Sequence, residues 1–390
     1  MKMKLNNDQF ITKIAVFPGV FLNGGVEYVV EEIFNSMRDK NIVYDIYVSR
    51  NYEGPKDKQL IAKGVRIFYI PEMKNLNPLK YIRLIRKMLK SNGKYDYIHV
   101  HSIHSGVLNS IAGYFAGIKN RIYHVHNTSD PLLKGLRFPK LYRFVSTRMI
   151  RMFNNKYIAC GKDAGIYIYG NKLVMKKVLI LKNAINLEIF KPIHTTKYRK
   201  IALDRNDNTV FIGNAARFTE VKNQRFLIEL IYEANLNGDY RLLLAGDGEL
   251  KDIYEKLVSE LNIKDKVYFL GNITDMNLFY NSLDVFILPS LHEGLPLSLV
   301  ESQSCGIPSI ASENITEEVD MGLNLMTRIS LTEKKNKWIN QIDRVISIDK
   351  PKLEDIAKGI RDKKYDLDSF KDQVLTIYKL KVEGAKHESK

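Results

Sequence analysis

The sequence lacks several features that would narrow its class at once. It has only two cysteines, Cys160 and Cys305, which lie far apart among apolar neighbours. This placement favours two buried thiols over a disulfide and is typical of a cytoplasmic protein. No run of 18 apolar residues is present, so we expect no membrane-spanning segment. Residues 1–12 are polar and lack the apolar core of a signal peptide.

Internal repeats and low-complexity segments are also absent. The 390 residues, 45% hydrophobic and 27% charged, have the composition of an ordinary globular protein. At this length two domains are expected, each large enough for its own core.

Acidic residues are scarce in the first half of the chain. Residues 1–190 carry 31 Lys and Arg against 13 Asp and Glu, a net charge of +18, whereas residues 191–390 carry a net charge of −2. Two stretches without any acid, Lys74–Lys94 and Lys134–Lys156, have apolar residues at helical spacing. Each stretch could be a helix packed on the core with a solvated basic face. Two of them in the same basic half favour docking on an anionic membrane surface.

Short apolar strands alternate with amphipathic helices along the whole chain. This alternation predicts two α/β domains, each built on a parallel sheet. We place the first domain at residues 1–190 and the second at residues 191–368. A terminal helix, predicted over Lys371–Leu380, and a polar tail occupy residues 369–390.

The most specific motif spans Leu288–Ser312, where a buried strand enters a Gly/Pro loop and then a helix. Pro296 suits the start of that helix, and Gly306 ends it. Because a helix N-terminus exposes unpaired N–H groups, the turn can hold a phosphate. Glu293 in the loop and Glu301 in the helix can accept hydrogen bonds from sugar and ribose hydroxyls.

Two other loops follow predicted strands. After the first strand of the second domain come Arg217 and Lys222, which can clamp a diphosphate or, alternatively, be two solvated surface cations. Gly24 and Gly25 separate the first strand of the chain from a helix. That loop is either an approach site for phosphate or sugar, or an ordinary turn, since neither a GxGxxG fingerprint nor a P-loop Lys accompanies it.

Histidines occur in pairs at two strand ends, His99 with His101 and His124 with His126. A metal site is one interpretation, but no carboxylate or cysteine lies near at ligand spacing. A hydrogen-bonding role at the crevice beside the strand ends is the better hypothesis. For His101 and the nearby His104, a place in the core or at its rim is the default.

Taken together, these motifs resemble those of the family 4 glycosyltransferases. Glu293 and Glu301 match the family's donor-sugar signature of two Glu separated by seven residues, with Gly294 and Pro296 in their expected places. Ala216-Arg217-Phe218 followed by Lys222-Asn223 is similar to its Gly-Arg-Phe…Lys-Asn motif, with Ala replacing Gly. Residues 183–190 resemble its linker motif, with mild departures at Ala184 and Asn186. The subgroup most similar comprises bacterial capsule and exopolysaccharide enzymes.

The resemblance implies a retaining glycosyltransferase of GT-B fold. In that fold two Rossmann-like domains face a central cleft, and the C-terminal helix crosses back to the first domain. The implied donor is a nucleotide-diphosphate sugar, most simply a UDP-linked hexose or N-acetylhexosamine, and the implied acceptor is a lipid-linked or growing glycan. Transfer would proceed by front-face displacement without an enzyme nucleophile, metal or other cofactor, and the absence of an Asp-x-Asp motif agrees with this.

The resemblance also implies roles for particular residues. The catalytic residues would be His126, which would face the donor sugar, together with Arg217, Lys222 and Glu293. The residues that would bind the donor are Gly24, Gly25, Gly246, Asn272, Gly294, Leu295, Leu297, Ser298 and Glu301.

Three other functions are weighed against this one. A family 4 enzyme could instead act on a soluble small-molecule or protein acceptor. The isoelectric point of about 9.4 allows a nucleic-acid-binding protein, but the chain has no recognition motif and its positive charge is confined to one half. An inactive scaffold is disfavoured by the intact Arg217, Lys222, Glu293 and Glu301. We therefore expect a cytoplasmic enzyme, peripherally bound to the inner face of the cell membrane.

Overall fold

The computed structural model describes residues 11–22, 25–73, 76–102, 105–126, 138–202 and 208–380, which form two compact units. The first unit takes the described residues up to Asn183 together with those from Asp368 onward, and the second unit is Ala184–Leu367. The linker motif at residues 183–190 therefore lies almost wholly in the second unit.

Each unit is built on one parallel sheet. The strands of the first are β1 (Thr12–Gly19), β2 (Ile42–Val48), β3 (Arg66–Tyr69), β4 (Tyr97–Val100), β5 (Asn120–Val125), β6 (Lys156–Ala159) and β7 (Val178–Ile180). Those of the second are β8 (Val210–Ala215), β9 (Tyr240–Ala245), β10 (Val267–Gly271), β11 (Val285–Leu288), β12 (Ser309–Ser312) and β13 (Met326–Ile329).

Helices connect most of the strands, because parallel neighbours need a crossover connection. In the first part of the chain they are α1 (Gly25–Met37), α2 (Asp57–Ala62), α3 (Pro78–Ser91), α4 (Gly106–Phe115), α5 (Pro139–Phe153), α6 (Lys162–Tyr169) and α7 (Asn171–Lys177). The later helices are α8 (Gln224–Ala234), α9 (Lys251–Glu260), α10 (Met276–Asn281), α11 (Leu297–Ser304), α12 (Lys335–Val345), α13 (Leu353–Asp362) and α14 (Leu367–Ile377).

The strand order reverses once in each sheet. The first sheet runs β3-β2-β1-β4-β5-β6-β7, and the second runs β10-β9-β8-β11-β12-β13. The reversal falls between β1 and β4 in the first unit and between β8 and β11 in the second. In open parallel sheets, ligands bind beyond the carboxyl ends of the strands at this reversal. The doubly wound architecture predicted from the alternation of strands and helices is thus confirmed.

The central strands β4, β9, β11 and β12 are buried along their whole length, which explains why they read as nearly continuous apolar runs. In the second unit, Leu242, Leu244 and Ile287 pack with Trp338 and Ile342 of α12 in one core cluster. Trp338, the single tryptophan of the chain, is fully buried there.

The last helix belongs to the first unit. α14 begins and ends earlier than the predicted Lys371–Leu380, because its buried residues Phe370, Val374 and Leu375 form the apolar stripe. Tyr378, just beyond it, contacts β4: Tyr97 Oη donates to the Tyr378 carbonyl at 2.8 Å. The return of the C-terminal helix to the first domain, implied by the resemblance, is therefore found.

The two basic helices differ in how they pack. α3 buries Tyr81, Ile85 and Leu89 against the core and leaves its cations in solvent. α5 buries only Ile150. Within the part of the chain that the structure describes, no helix is long and apolar enough to cross a bilayer.

Candidate donor-sugar site

Two loops flank the reversal of strand order in the second unit. One follows β8 and the other follows β11, and backbone and side-chain hydrogen bonds join them. Leu291 N donates to Val221 O at 2.8 Å, and Asn223 Nδ2 donates to Pro289 O at 3.2 Å. Asn223 has a left-handed backbone (φ 56°) and immediately precedes α8, so it ends the first loop while holding the second. The loops therefore form one rigid edge for a ligand.

Lys222 and Glu293, predicted separately as catalytic residues, contact each other across this edge. Lys222 Nζ lies 2.6 Å from Glu293 Oε1. Ser290 Oγ donates to the same carboxylate oxygen at 2.7 Å. The side chain of Glu293 is only 11% exposed and that of Lys222 26%, so the pair is shielded but open on one side. Ser290 is a site residue that the motif analysis missed, although it lies inside the quoted motif.

Arg217 lies on the same loop and is exposed. Its backbone carbonyl accepts a hydrogen bond from Gln224 Nε2 at 3.2 Å, which fixes the loop rather than the side chain. Its guanidinium has no ion-pair partner among the described residues. Arg217 is therefore a cation that an incoming diphosphate can meet without first displacing a carboxylate.

Gly246 has a structural reason to be glycine. Its φ is +133°, and a Cβ there would lie 2.1 Å from the carbonyl oxygen of Ala216. Gly248 is similar, since a Cβ would lie 2.4 Å from the oxygen of Phe218. Ala216 N donates to Ala245 O at 3.1 Å, and Phe218 N donates to Asp247 O at 2.9 Å. The loop after β9 thus supports the Arg217 loop from behind, and the Gly-Asp-Gly sequence is the signal for it.

Asn272 lies in the exposed loop after β10. Gly246 N donates to Gly271 O at 2.8 Å and connects this loop to the preceding one. Gly246 and Asn272, both predicted to bind the donor, therefore occupy the same edge of the sheet as Arg217.

The N-terminus of α11 is available for an anion. Pro296 is the N-cap residue, with an extended backbone, and makes no side-chain cap. Leu297 and Ser298 in the first turn are partly exposed, as is Gly294 before them, whereas the side chain of Leu295 is buried. Leu295 can therefore meet a ligand through its backbone only. Uncapped N–H groups at a helix start are suited to phosphate.

Glu301 lies further along α11 and is held by a residue that the sequence did not indicate. Tyr280 Oη, at the end of α10, donates to Glu301 Oε2 at 2.7 Å. Burial raises the pKa of the Glu301 carboxyl above its usual value, and the bond from Tyr280 opposes that rise. Glu301 is partly exposed, and a carboxylate that accepts this one hydrogen bond has capacity left for ribose hydroxyls.

The remaining predicted residues belong to the first unit. His126 follows β5 and is partly exposed. Gly25 opens α1, and a Cβ added to it would meet nothing within 4 Å, so the space beside the helix start is open. Gly24 and His104 lie outside the described residues.

The four histidines at the ends of β4 and β5 stack on one another. Ring centroids are 4.1 Å apart for His99 and His101, 4.1 Å for His124 and His126, and 5.2 Å for His101 and His126. Burial lowers the pKa of His99 to about 3 and that of His126 to about 4. The pKa values of His101 and His124 are also lowered well below their usual range, first by burial and then by neighbouring histidines. All four rings are therefore neutral at pH 7.

The ring orientations in this histidine stack favour packing over a metal centre. One nitrogen from each of His99, His101 and His124 lies within 4.8 Å of the others. The His99 ring, however, is within 14° of parallel to that of His124 and within 29° of that of His101. The third pair, His101 and His124, is tilted by 41°. Imidazoles that bind one metal ion direct their in-plane lone pairs at a common point, which the two nearly parallel pairs do not favour. Ring packing therefore explains the cluster.

Comparison with known proteins identifies the class and then the family. The fold is that of GT-B glycosyltransferases: the structure of Anabaena Alr3699/HepE in complex with UDP and glucose matches with a TM-score of 0.76 and 18% identity, over 94% of this chain and 98% of that one. The model for glycosyltransferase family 4 matches residues 23–188, and the model for group 1 glycosyl transferases matches residues 196–362.

Two curated relatives extend over most of the chain. The putative glycosyltransferase EpsF of Bacillus subtilis is 34% identical over 92% of this chain and 94% of its own length. The UDP-Gal:alpha-D-GlcNAc-diphosphoundecaprenol alpha-1,3-galactosyltransferase of Escherichia coli is 29% identical over 77% of this chain and 79% of its own. The chain belongs to the family 4 glycosyltransferases, as its motifs predicted.

Proposed function

We propose that the protein is a retaining glycosyltransferase of polysaccharide biosynthesis. It transfers a hexose or N-acetylhexosamine from a UDP-linked donor to a lipid-linked or growing glycan acceptor at an anionic membrane surface. The observation that carries the proposal is the edge of the second unit, where exposed Arg217, the Lys222–Glu293 pair and the uncapped start of α11 lie together.

The charges at this edge suit a departing diphosphate. Arg217, Lys222 and the N–H groups of α11 stabilise the negative charge that develops as the bond between the anomeric carbon and the diphosphate oxygen breaks. The acceptor oxygen bonds to the same face of that carbon, and its proton passes to the departing phosphate oxygen. Because protein cations stabilise the leaving group, this scheme needs no metal ion and no enzyme nucleophile.

The carboxylates suit the hydroxyl groups of the donor. Glu293 accepts hydrogen bonds from the sugar, and Glu301 accepts them from the ribose. The choice of UDP is supported by the UDP and glucose complex of the HepE protein. The E. coli relative, whose name includes UDP-Gal and a diphosphoundecaprenol acceptor, supports both the donor and a lipid-linked acceptor.

A donor panel tests this proposal. The protein is incubated with UDP-, GDP- and dTDP-linked sugars and a lipid-diphosphate sugar acceptor, and released nucleotide is measured. We expect release from a UDP sugar, retention of the anomeric configuration by NMR of the product, and a raised melting temperature with UDP. An inverted product would refute the retaining mechanism. A thermal shift with oligonucleotides and none with UDP would favour the nucleic-acid-binding alternative.

Helix α5 supports the membrane part of the proposal. An ordinary surface helix packs its apolar side on the core, whereas α5 contacts α6 through polar side chains. Its polar side chains Arg143, Thr147 and Arg151 donate to carbonyl groups in the last turn of α6. Ile150 is buried and Phe153 packs on Tyr114 and Phe115, but most of the other large apolar side chains of α5 are exposed. Those exposed are Phe138 at the N-cap, Leu141, Phe144, Val145 and Met152.

The partner of this apolar side is an anionic bilayer. Exposed Lys140 and Arg148 lie among the apolar side chains, and α5 contains no acid. Apolar side chains that enter the lipid interface, with cations that meet anionic headgroups, are the features of helices that lie on membranes. α3 lacks the apolar half of this arrangement, because its stripe is buried in the core. Its cations can add only long-range attraction.

Liposome co-sedimentation tests the role of α5. Leu141→Ser/Phe144→Ser should lose most binding to anionic vesicles, whereas Leu79→Ser on α3 is the matched control, since Leu79 is 64% and Leu141 60% exposed. Wild-type binding should need anionic lipid and weaken with salt. Absence of binding at low salt would refute membrane docking. A dimer that the double substitution dissociates would instead assign α5 to contact between two copies of the chain.

A further inference from the structure

The same tripeptide, His-Val-His, ends two adjacent strands of the first sheet, at residues 99–101 of β4 and residues 124–126 of β5. Because β4 and β5 pair in parallel, their alternate side chains place the four imidazoles on one face. His126 is partly exposed at the carboxyl end of the sheet, and His101 behind it is 3% exposed. The buried histidine is therefore placed to act on the accessible one.

A hydrogen bond joins these two rings. His101 Nδ1 lies 2.9 Å from His126 Nε2, and the ring planes are 16° apart. His126 Nδ1 has no hydrogen-bond partner among the described residues. We propose that His101 is a positioning residue that donates its Nδ1–H to His126 Nε2. It thereby holds His126 as the tautomer whose Nδ1–H is free to donate to an oxygen of the donor sugar.

The direction of the hydrogen bond follows from the state in which each direction would leave the buried atom His101 Nε2. Both rings are neutral at pH 7, so each carries one proton. His101 Nε2 is buried without a hydrogen-bond partner. If His126 donated, that atom would be an unsatisfied buried N–H, which is rarer in proteins than an unsatisfied acceptor. If His101 donates through its Nδ1–H, its Nε2 is unprotonated, and only an acceptor lone pair is buried without a partner.

The consequence concerns what His126 offers to the sugar. With the proton on Nδ1, His126 donates a hydrogen bond, whereas with the proton on Nε2 it could only accept one. This inference rests on the proposed function, together with the contact between His126 and the donor sugar that the family resemblance implies. The tautomer itself can be measured without any substrate.

Three substitutions separate the hydrogen bond from the stacking. His101→Phe keeps a flat ring and removes the donor. His101→Asn removes the ring but places an amide N–H close to the position of Nδ1. His124→Phe is the matched control, because the His124 ring packs on His126 with centroids 4.1 Å apart and does not hydrogen bond to it. Circular dichroism and melting temperature establish that each variant is folded.

We expect the kcat of His101→Phe to fall roughly tenfold, the loss expected for one hydrogen bond, with the KM for the donor nearly unchanged. His101→Asn should recover most of the rate, and His124→Phe should resemble wild type. A His101→Phe variant with wild-type kcat, in an enzyme that His126→Ala disables, would overturn the inference.

Nitrogen-15 NMR of histidine-labelled protein supplies the readout that is independent of activity. In the wild type, His126, assigned by its loss in His126→Ala, should carry its proton on Nδ1. In His101→Phe both tautomers should be populated. A wild-type His126 protonated on Nε2 would refute the proposed direction. If no UDP sugar is turned over, the proposed function fails, while this spectrum still decides whether His101 donates.

Discussion

At the scale of single residues, the site is built from side chains that act on one another. Lys222 and Glu293 form a shielded ion pair, with Ser290 as a further donor to the carboxylate. Each of the two residues therefore controls the position of the other. The proposed roles, contact with phosphate for Lys222 and with the sugar for Glu293, would therefore be energetically coupled.

We expect Lys222→Ala and Glu293→Gln each to lower kcat roughly 10²-fold, as does removal of one stabiliser of transition-state charge. Arg217→Ala should lower kcat by a factor of the same order. The double variant of Lys222 and Glu293 should be much less impaired than the product of the single effects, because the two side chains act as a unit. Lys251→Ala, which removes an exposed cation 3.9 Å from Glu255 on α9, is the control. Strictly multiplicative effects in the cycle would contradict the coupling.

Glu301 should make nucleotide binding depend on pH. Burial raises the pKa of its carboxyl from 4.5, and ribose hydroxyls favour the ionised form to which they donate. UDP binding should therefore release protons, and UDP affinity should rise with pH until the free enzyme's Glu301 is ionised. Calorimetry at pH 5 to 8, in two buffers of different ionisation enthalpy, measures both effects. An affinity for UDP that does not change across this range would contradict the assignment.

The same shift has a consequence for stability. A carboxyl whose pKa is raised in the folded state costs no folding free energy while it is protonated in both the folded and the unfolded state. It destabilises the fold progressively as the pH rises from the pKa of the unfolded state through that of the folded state. Glu301→Gln should therefore raise the melting temperature of the free protein at pH 7 while weakening UDP binding. Glu293→Ala should impair transfer but should not lower UDP affinity, because it removes the carboxylate that pairs with Lys222 and leaves that cation beside the diphosphate. Equal UDP affinity in the wild type and Glu301→Gln would refute this division of roles.

At the scale of elements, the loops after β8, β9, β10 and β11 form a single support. Gly246 is the point at which two of them touch, with a backbone (φ +133°) that other residues avoid. The resemblance implied a donor-binding role for it, and its packing adds a structural one.

Gly246→Ala should lower the free energy of unfolding of the second unit by about 2–4 kcal/mol, since it adds strain and a backbone clash. It should also weaken UDP binding, because it displaces the Arg217 loop. Gly271→Ala is a matched control at φ +66° with nothing within 4 Å of the added Cβ, and should cost only about 1–2 kcal/mol. Thermal and urea unfolding with and without UDP would measure both. Equal losses in the two variants would show that the contact with Ala216 is unimportant.

At the scale of the whole molecule, the end of the chain completes the first unit. Tyr378 is 2% exposed, and its Oη lies 2.6 Å from His99 Nδ1. Lys156 Nζ donates to the carbonyl of Ile377 at 2.6 Å. The segment after α14 therefore covers the strands that carry the histidine stack.

Tyr378→Ala should destabilise the first unit by about 3–5 kcal/mol, the cost of truncating a buried aromatic side chain. UDP affinity, which depends on the second unit, should change little. Lys371→Ala on α14, which removes a cation 3.9 Å from exposed Asp39, is the control. Differential scanning calorimetry and UDP titration would test the pair. A loss of UDP affinity at unchanged stability would contradict this separation.

The sequence by itself determined the elements and the loops that carry the site. Strand and helix periods, Pro296, Gly306 and the glycine-rich turns are local signals, because they reflect the dihedral preferences and the burial of neighbouring residues. Parallel strands then bring their carboxyl ends to one edge, so Arg217, Lys222, Glu293 and Glu301 could be assigned to a common site without coordinates.

Only the tertiary structure decided which atoms meet and which sides are covered. Lys222 and Glu293 are 71 residues apart in the chain. No periodic pattern in the sequence indicates the hydrogen bond from Tyr280 to Glu301 or the one between His101 and His126. The amphipathic period of α3 and α5 is alike, yet one buries its apolar side and the other exposes it. Periodicity specifies that a helix has two sides, whereas the neighbours that pack against it determine which side is buried.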